Sequence, residues 1–521
     1  MEKRMRTTVG ITVLVVGVAT LVSLPVPLGA ADQPQWGQAW SRNMVSDETG
    51  LPGSFEVPKF DADTGEMVPG TGRNVRWAVR LGSVSYGTPI IARGKVLVGT
   101  NNGFPRDPRH QGDRGVLMCF SEADGRFLWQ LVCPKLRRDP YLDWTNIGIC
   151  SPASVEGDRL YIVGNRAEVL CLDLDGQADG NDGPYVDEGV HMAREGQERL
   201  EVLKTDGDIV WAFDMMAEVG SRQHDGCHCS VLLHGQFVYA STSNGVDRTH
   251  FGLAPDAPSL VVLDKTTGRL VAIDGEGLAP RIIHSMWSSC AAGKASGREL
   301  VVFAGGDAIV YAFEPLRGPS ADGRPAILRA AWRFDCDPGA PKKDIMKWQD
   351  NRKEGPSTII AMPVFLDGRV YVTAGGDPWH GKREAWLKCI DASGSGDITR
   401  SGQVWSYDLS RHSLSTPAVR DGLVYAADST GQVHCVDART GKPYWVHPLE
   451  GEVWSSPLVA DGKVFVGTVK GDFYVLAAGK EKRLISQVRL PGSVWASPVA
   501  AGGRLYVVSR QHLFAFERME K

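Results

Sequence analysis

Residues 452–467 read EVWSSPLVADGKVFVG and residues 493–508 read SVWASPVAAGGRLYVV, nearly one line written twice, 41 positions apart. Each copy is a short apolar run, a turn holding Gly, and a run rich in Val, Phe and Tyr, which is the pattern of a β-hairpin. Six weaker copies lie upstream: YGTPIIARGKVLVG (86–99), ICSPASVEGDRLYIVG (149–164), HCSVLLHGQFVYAS (228–241), WSSCAAGKASGRELVVFAG (287–305), IAMPVFLDGRVYVTAG (360–375) and LSTPAVRDGLVYAAD (414–428). A second hairpin follows each copy, most cleanly in VHCVDARTGKPYWVH (433–447). Four strands per repeat and eight repeats predict an all-β chain, an eight-bladed β-propeller of four-stranded blades. The last repeat stops after its third strand, HLFAFERMEK, while NVRWAVRLG (74–82) is a fourth strand with no strands before it. An N-terminal strand is therefore expected to complete the last blade and close the ring, which removes an exposed sheet edge.

The domain reading is a signal peptide over 1–31, an N-terminal extension over 32–73 and the propeller over 74–521. Lys3, Arg4 and Arg6 precede an apolar stretch from Val9 to about Leu24, and Gly29, Ala30 and Ala31 suit a signal peptidase. An uncleaved leader is the one route to a membrane, and Pro25 and Pro27 argue against a continuous helix there. The expectation is export to the periplasm or beyond, as a monomer. A net charge of −4 gives no footprint for nucleic acid. Of ten Cys, Cys119, Cys171, Cys389 and Cys435 sit at one place in successive strands and read as buried hydrophobes. Any disulfide would come from Cys133, Cys150, Cys227, Cys229, Cys290 and Cys336.

Asp437, Thr440, Gly441 and Trp445 in one repeat, and Asp264, Thr267 and Gly268 in another, resemble the pyrroloquinoline-quinone-type (quinoprotein-like) propeller repeat. Trp77, Trp129, Trp211, Trp332 and Trp405 fill the Trp place elsewhere. The resemblance covers about residues 74–521 and implies that these indoles wedge between neighbouring blades. For function it is less specific, because the fold hosts dehydrogenases, binding scaffolds and lyase-like enzymes. In the dehydrogenases the quinone lies in the central channel between a Trp and two adjacent Cys, beside calcium and a catalytic Asp. Here HDGCHCS puts His228 between Cys227 and Cys229, and no CxxCH haem signature occurs. The resemblance is therefore to a member without the cofactor site: no cofactor is expected, with pyrroloquinoline quinone and calcium as the alternative.

Strand order assigns insertions to faces. Residues 101–114, 133–148, 215–228, 244–258, 335–359 and 376–384 fall on one face, and 174–207, 315–326 and 391–402 on the other. Decorating loops on a scaffold carry function. The residue leading each innermost strand lies at the channel mouth on the first face. There Trp287, Trp454, Trp495 and His228 converge with Trp144, Asn146, His224, His284, Arg411, His412 and Glu452 from just upstream. Flat rings with a few polar groups suit a small molecule or glycan; the competing reading is that the Trp residues plug the channel. His224, Cys227, His228 and Cys229 offer soft metal donors, and on the opposite face Asp175, Asp179, Asn181 and Asp182, or Asp391 and Asp397, offer oxygens for calcium. No catalytic residue is assigned. The functional expectation is an exported, non-catalytic propeller binding a protein partner or extracellular ligand, a glycan among them. The alternatives are a quinone-dependent dehydrogenase or a carbohydrate-active enzyme.

Overall fold

Inner strands such as Glu168–Asp173 and Leu423–Asp428 are buried along their whole length. A strand covered on both faces reads as a continuous apolar run rather than an alternation, and sheets stacked face to face around an axis impose that condition. The computed structural model describes residues 32–136, 139–249 and 251–519, and in it eight antiparallel sheets form such a ring; the expected leader lies outside the described residues. Seven sheets take their strands in chain order. The eighth takes Val499–Ala501, Arg504–Val508 and His512–Glu517 from the far end of the chain and its outermost strand, Val75–Arg80, from the near end. Trp77 lies opposite Ala515 and Arg80 opposite His512. The expected closure is present.

Three blades carry five strands: in the fifth the innermost strand is split into Ser357–Thr358 and Val364–Leu366, and in two others a strand is added at the outer edge. Ala326–Leu328 runs parallel to Leu270–Asp274, and Gly396–Asp397 runs parallel to Trp332–Asp335. A parallel bridge from Asp206 to Gln130 repeats the arrangement. Each insertion on the second face thus lies against the outer edge of the preceding blade and covers backbone that would otherwise invite pairing.

The repeat Trp residues join blade to blade. Trp405 Nε1 donates to Ala438 O at 3.0 Å, Trp445 Nε1 to Gly479 O at 2.9 Å and Trp77 Nε1 to Glu122 O at 3.0 Å. The acceptor turn is fixed by its Asp: Asp437 Oδ1 accepts from Thr440 N and Thr440 Oγ1, both at 2.8 Å. Gly441 follows at φ +70°, and a Cβ there would stand 2.7 Å from the Trp405 ring. Glycine is required twice over, by backbone conformation and by the approach of the indole. Trp332 departs from the pattern, since its buried Nε1 has no acceptor.

The N-terminal extension is a strap through the channel. Residues 33–46 cross the ring and bond to the innermost strand of seven blades and, in the third, to the residues just before it. Gln33 exchanges backbone bonds with Ile91, and Val155 N, Ala292 N and Phe365 N donate to the carbonyls of Pro34, Trp40 and Ser41. The Asn43 side chain pairs with Val419 N and O, Met44 O accepts from Val459 N, and Ser46 Oγ donates to Ala500 O. The third blade is held by Arg42, which is 0% exposed. Its guanidinium donates to the carbonyls of Trp36, Ser230, Val231 and Cys290 and to Ser230 Oγ, at 2.7–3.2 Å. Burial lowers its pKa to about 10, so it stays charged at neutral pH.

Two outcomes follow from this packing. Arg42→Ala leaves several buried carbonyls without donors and is expected to cost about 3–5 kcal/mol, read as a lower urea midpoint. Gly441→Ala is expected to cost about 1–3 kcal/mol through strain and the displaced indole, with Trp405→Phe milder because the wedge remains filled.

Candidate functional site

Below the mouth the strap crosses the channel, and the first face opens into a cup of about 480 Å³ with Trp36 among its lining residues. One wall is Trp495, Tyr86 and Trp454, with Tyr86 centred 4.7 Å from Trp495 and 6.4 Å from Trp454. Trp379 continues the wall 6.0 Å from Trp454, and Trp287 follows 5.9 Å from Trp379. His228, His284, His224, Tyr141 and Trp144 complete the circuit. Trp287, Trp454 and Trp495 border this cavity.

The polar groups gather on one side. His284 comes from the connection between the third and fourth blades, and Asp377 from the loop between the second and third strands of the fifth. His284 Nδ1 lies 3.0 Å from Asp377 Oδ2, and both side chains are buried. Asp377 also accepts from the backbone N–H of Trp379 at 2.9 Å and of His380 at 2.8 Å. Burial by itself would raise the Asp377 carboxyl, but His284 and these amides hold it well below the usual carboxylate range. Burial opposes charge on His284, yet Asp377 and Asp225 together raise its pKa. Asp225 itself is pushed up to about 6 by burial, with His284 opposing. His228 is driven down to about 4 by burial and by the neighbouring His284.

Of the residues singled out by sequence, Trp144, His224, His228, His284, Trp287, Trp454 and Trp495 line this cup. Four do not. Asn146 is exposed, in a left-handed turn whose N–H donates to Asp113. Arg411 does not reach the cup, and His412 is 2% exposed, its ring enclosed behind the wall. Glu452 is exposed and accepts from Trp454 Nε1 at 3.2 Å, outside the cup. The reason is common to all four: the loop path, not the distance from the repeat, decides which side chain faces inward. Sequence reasoning missed Asp377, Trp379 and His380, which lie in GGDPWHGK (375–382). That loop was on the correct face, but it has no copy in other repeats against which to align it. Trp36 was missed because the extension showed no repeat pattern.

The soft-donor cluster is dispersed. Cys227 and Cys229 pack into the core between the second and third blades, their thiols on Gln223 Oε1 and Ser241 O. All ten cysteines are buried free thiols. On the opposite face Asp175 and Asp179 do approach Asp173, one ligand atom of each lying within 4.8 Å of the others. Asp173 and Asp175 already pair with Arg159 and Lys95. Asn181 donates instead to Tyr185 O, and the Asp182 N–H to Asp208. Asp391 and Asp397 each accept a backbone N–H two residues on, from Ser393 and Thr399, both at 2.9 Å. These are ordinary Asp turns.

The cup does not fit pyrroloquinoline quinone, a polycarboxylate. Among the described residues lining it there is no Lys or Arg, while Asp225 adds a carboxylate and Cys150 stands without a neighbouring thiol. A wider groove of about 910 Å³ runs beside Lys135, Arg166 and Arg199. These three cations are paired with Asp143, Glu168 and Asp187.

A family model described as outer membrane protein assembly factor BamB (PQQ_2) matches residues 113–318 and 383–484. Over 139 residues the chain is 32% identical to a 1-butanol dehydrogenase (cytochrome c) of Thauera butanivorans, covering 24% of this chain and 20% of that protein. Over 78 residues it is 40% identical to the outer membrane protein assembly factor BamB of Xanthomonas campestris pv. campestris, covering 13% and 19%. The chain thus spans about a fifth of the length of these curated relatives. Among solved structures, the quinohemoprotein alcohol dehydrogenase ADHIIG of Pseudomonas putida HK5 superposes with a TM-score of 0.56 at 11% identity, over 94% of this chain and 81% of that one. A europium-containing methanol dehydrogenase gives 0.50 at 12% identity, over 92% and 90%. At such identities the likeness is one of fold alone.

Proposed function

The chain belongs to the PQQ_2 family of outer membrane protein assembly factor BamB, and from this premise we propose that it is an exported binding propeller. Its aromatic cup holds a small extracellular ligand with flat faces, of which a sugar ring is the type. The observation that carries this reading is the strap. By crossing the channel below Trp454 and Trp495, it leaves their rings as walls of a cavity rather than as filling. Rings on several sides with a few fixed polar groups are how a site grips a flat, partly polar molecule. Export rests on the charged and apolar order of residues 3–31. A quinone-dependent dehydrogenase is the weaker reading, because the described lining of the cup offers a carboxylate-rich cofactor no Lys or Arg.

A protein partner is the second reading, and a separate observation favours it. On the 244–258 loop of the same face, Phe251 is 62% and Leu253 48% exposed, and exposed apolar side chains grouped beside a pocket mark docking surfaces.

Trp454→Ala and Trp495→Ala are expected to weaken ligand binding roughly tenfold each while leaving the melting temperature close to wild type. Tryptophan fluorescence titration against mono- and oligosaccharides, with a simple aromatic alcohol alongside, reads the affinity. Unchanged affinity with lowered stability would return these rings to a purely structural role.

A further inference from the structure

The geometry points to a binding site for a divalent transition-metal ion on the wall of the cup, formed by His224, Asp225 and His284. This site stands independently of which organic molecule the cup takes. One ligand atom from each of the three residues lies within 4.8 Å of the other two. His224 Nε2 is 3.7 Å from Asp225 Oδ2, and the two imidazole rings are centred 4.6 Å apart. Donors about 2.0–2.2 Å from a tetrahedral zinc stand roughly 3.3 Å from one another, so the His224–Asp225 pair needs a contraction of a few tenths of an ångström and the pairs to His284, within 4.8 Å, at most about 1.5 Å.

The surroundings of the three residues match what a metal requires. A ligating imidazole usually directs its other ring nitrogen to a carboxylate or backbone carbonyl, which sets the tautomer and aims the lone pair. Both histidines meet that condition. His284 Nδ1 lies 3.0 Å from Asp377 Oδ2, and His224 Nδ1 bonds to the Val246 carbonyl. Asp377 is fixed in turn by two backbone N–H groups, so the outer support is rigid. Each ring therefore presents Nε2 as its ligating atom.

Asp225 is the third ligand, and its backbone is held in an uncommon conformation. It has φ +60° and is followed by Gly226 at φ +136°. The conformation is locked from both sides, since Asp225 N donates to Tyr141 O at 2.5 Å and Asp225 O accepts from Trp144 N at 3.0 Å. Strained, over-determined backbone of this kind gathers at functional sites. The buried Asp225 Oδ1 has no hydrogen-bond partner, and a buried carboxylate oxygen left unpaired is costly unless a cation answers it. Two imidazoles and one carboxylate suit zinc, iron or cobalt, and three protein ligands leave a position open toward the cup.

The full chain, stripped with chelator and dialysed against Zn²⁺, is expected to retain one equivalent by elemental analysis. With Co²⁺ it is expected to show visible d–d absorption. Asp225→Asn keeps a residue that tolerates positive φ, so the fold, checked by circular dichroism and melting, is retained while metal affinity falls at least about tenfold. His224→Ala is expected to abolish stoichiometric binding. Asp377→Asn, acting through His284, is expected to weaken binding about 10–100-fold and to shift the Co²⁺ spectrum. Trp454→Ala is expected to leave metal content unchanged, which separates this proposal from the ligand reading. Less than about a tenth of an equivalent in the wild type, or full retention in a folded Asp225→Asn, His224→Ala double variant, would overturn the site.

Discussion

A ring of eight sheets has a hole at its centre, and the innermost strands line it with backbone groups that no neighbouring strand can reach. Buried backbone N–H and C=O groups need partners, and much of this structure follows from how they are supplied. Residues 33–46 provide at least one partner to seven of the eight innermost strands and to the residues just before the third, with Arg42 serving the third and fourth blades through one side chain. The guanidinium suits this task because its five donors spread in a fixed fork. The strap thereby contributes Trp36 to the base of the cup, beneath the aromatic walls.

The fold was legible to the degree that it is periodic. Eight copies of one hairpin, the Asp–Thr–Gly turns and the outer-strand indoles identified the blades, and the unmatched strand at 74–82 identified the closure. What the repeats could not show is anything that occurs once. The strap has no periodicity because each of its residues meets a different blade. The parallel edge strands were hidden in insertions whose composition reads as turn.

The same distinction explains the site. Trp287, Trp454, Trp495 and His228 were found because they occupy one repeat position, which lines the cup in every blade but the second, where Ile149 packs into the core. Asp377, Trp379 and His380 belong to a loop without a counterpart, so no alignment could place them. Asn146, His412 and Glu452 lie near the correct position in sequence but turn away. A positive φ at Asn146 and at Asp225 shows how sharply these connections bend. Within two residues the chain reverses the direction in which a side chain points.

The strap and the closing strand also govern the order in which the molecule can be made. Asn43 meets Val419 across 376 positions and Ser46 meets Ala500 across 454, while Val75–Arg80 waits for His512–Glu517. Contacts this distant in sequence carry a large loop-closure entropy and form slowly. The first segment of the ring to be synthesised is thus among the last to find its place. Blades one to seven can assemble as neighbours, but the ring stays open until the final hairpin arrives. A chain truncated anywhere before residue 499 lacks the inner strands of the eighth blade as well as the partner for its outer one. Such a chain would leave both ends of the ring open, so the wall of the cup is closed only in the finished protein.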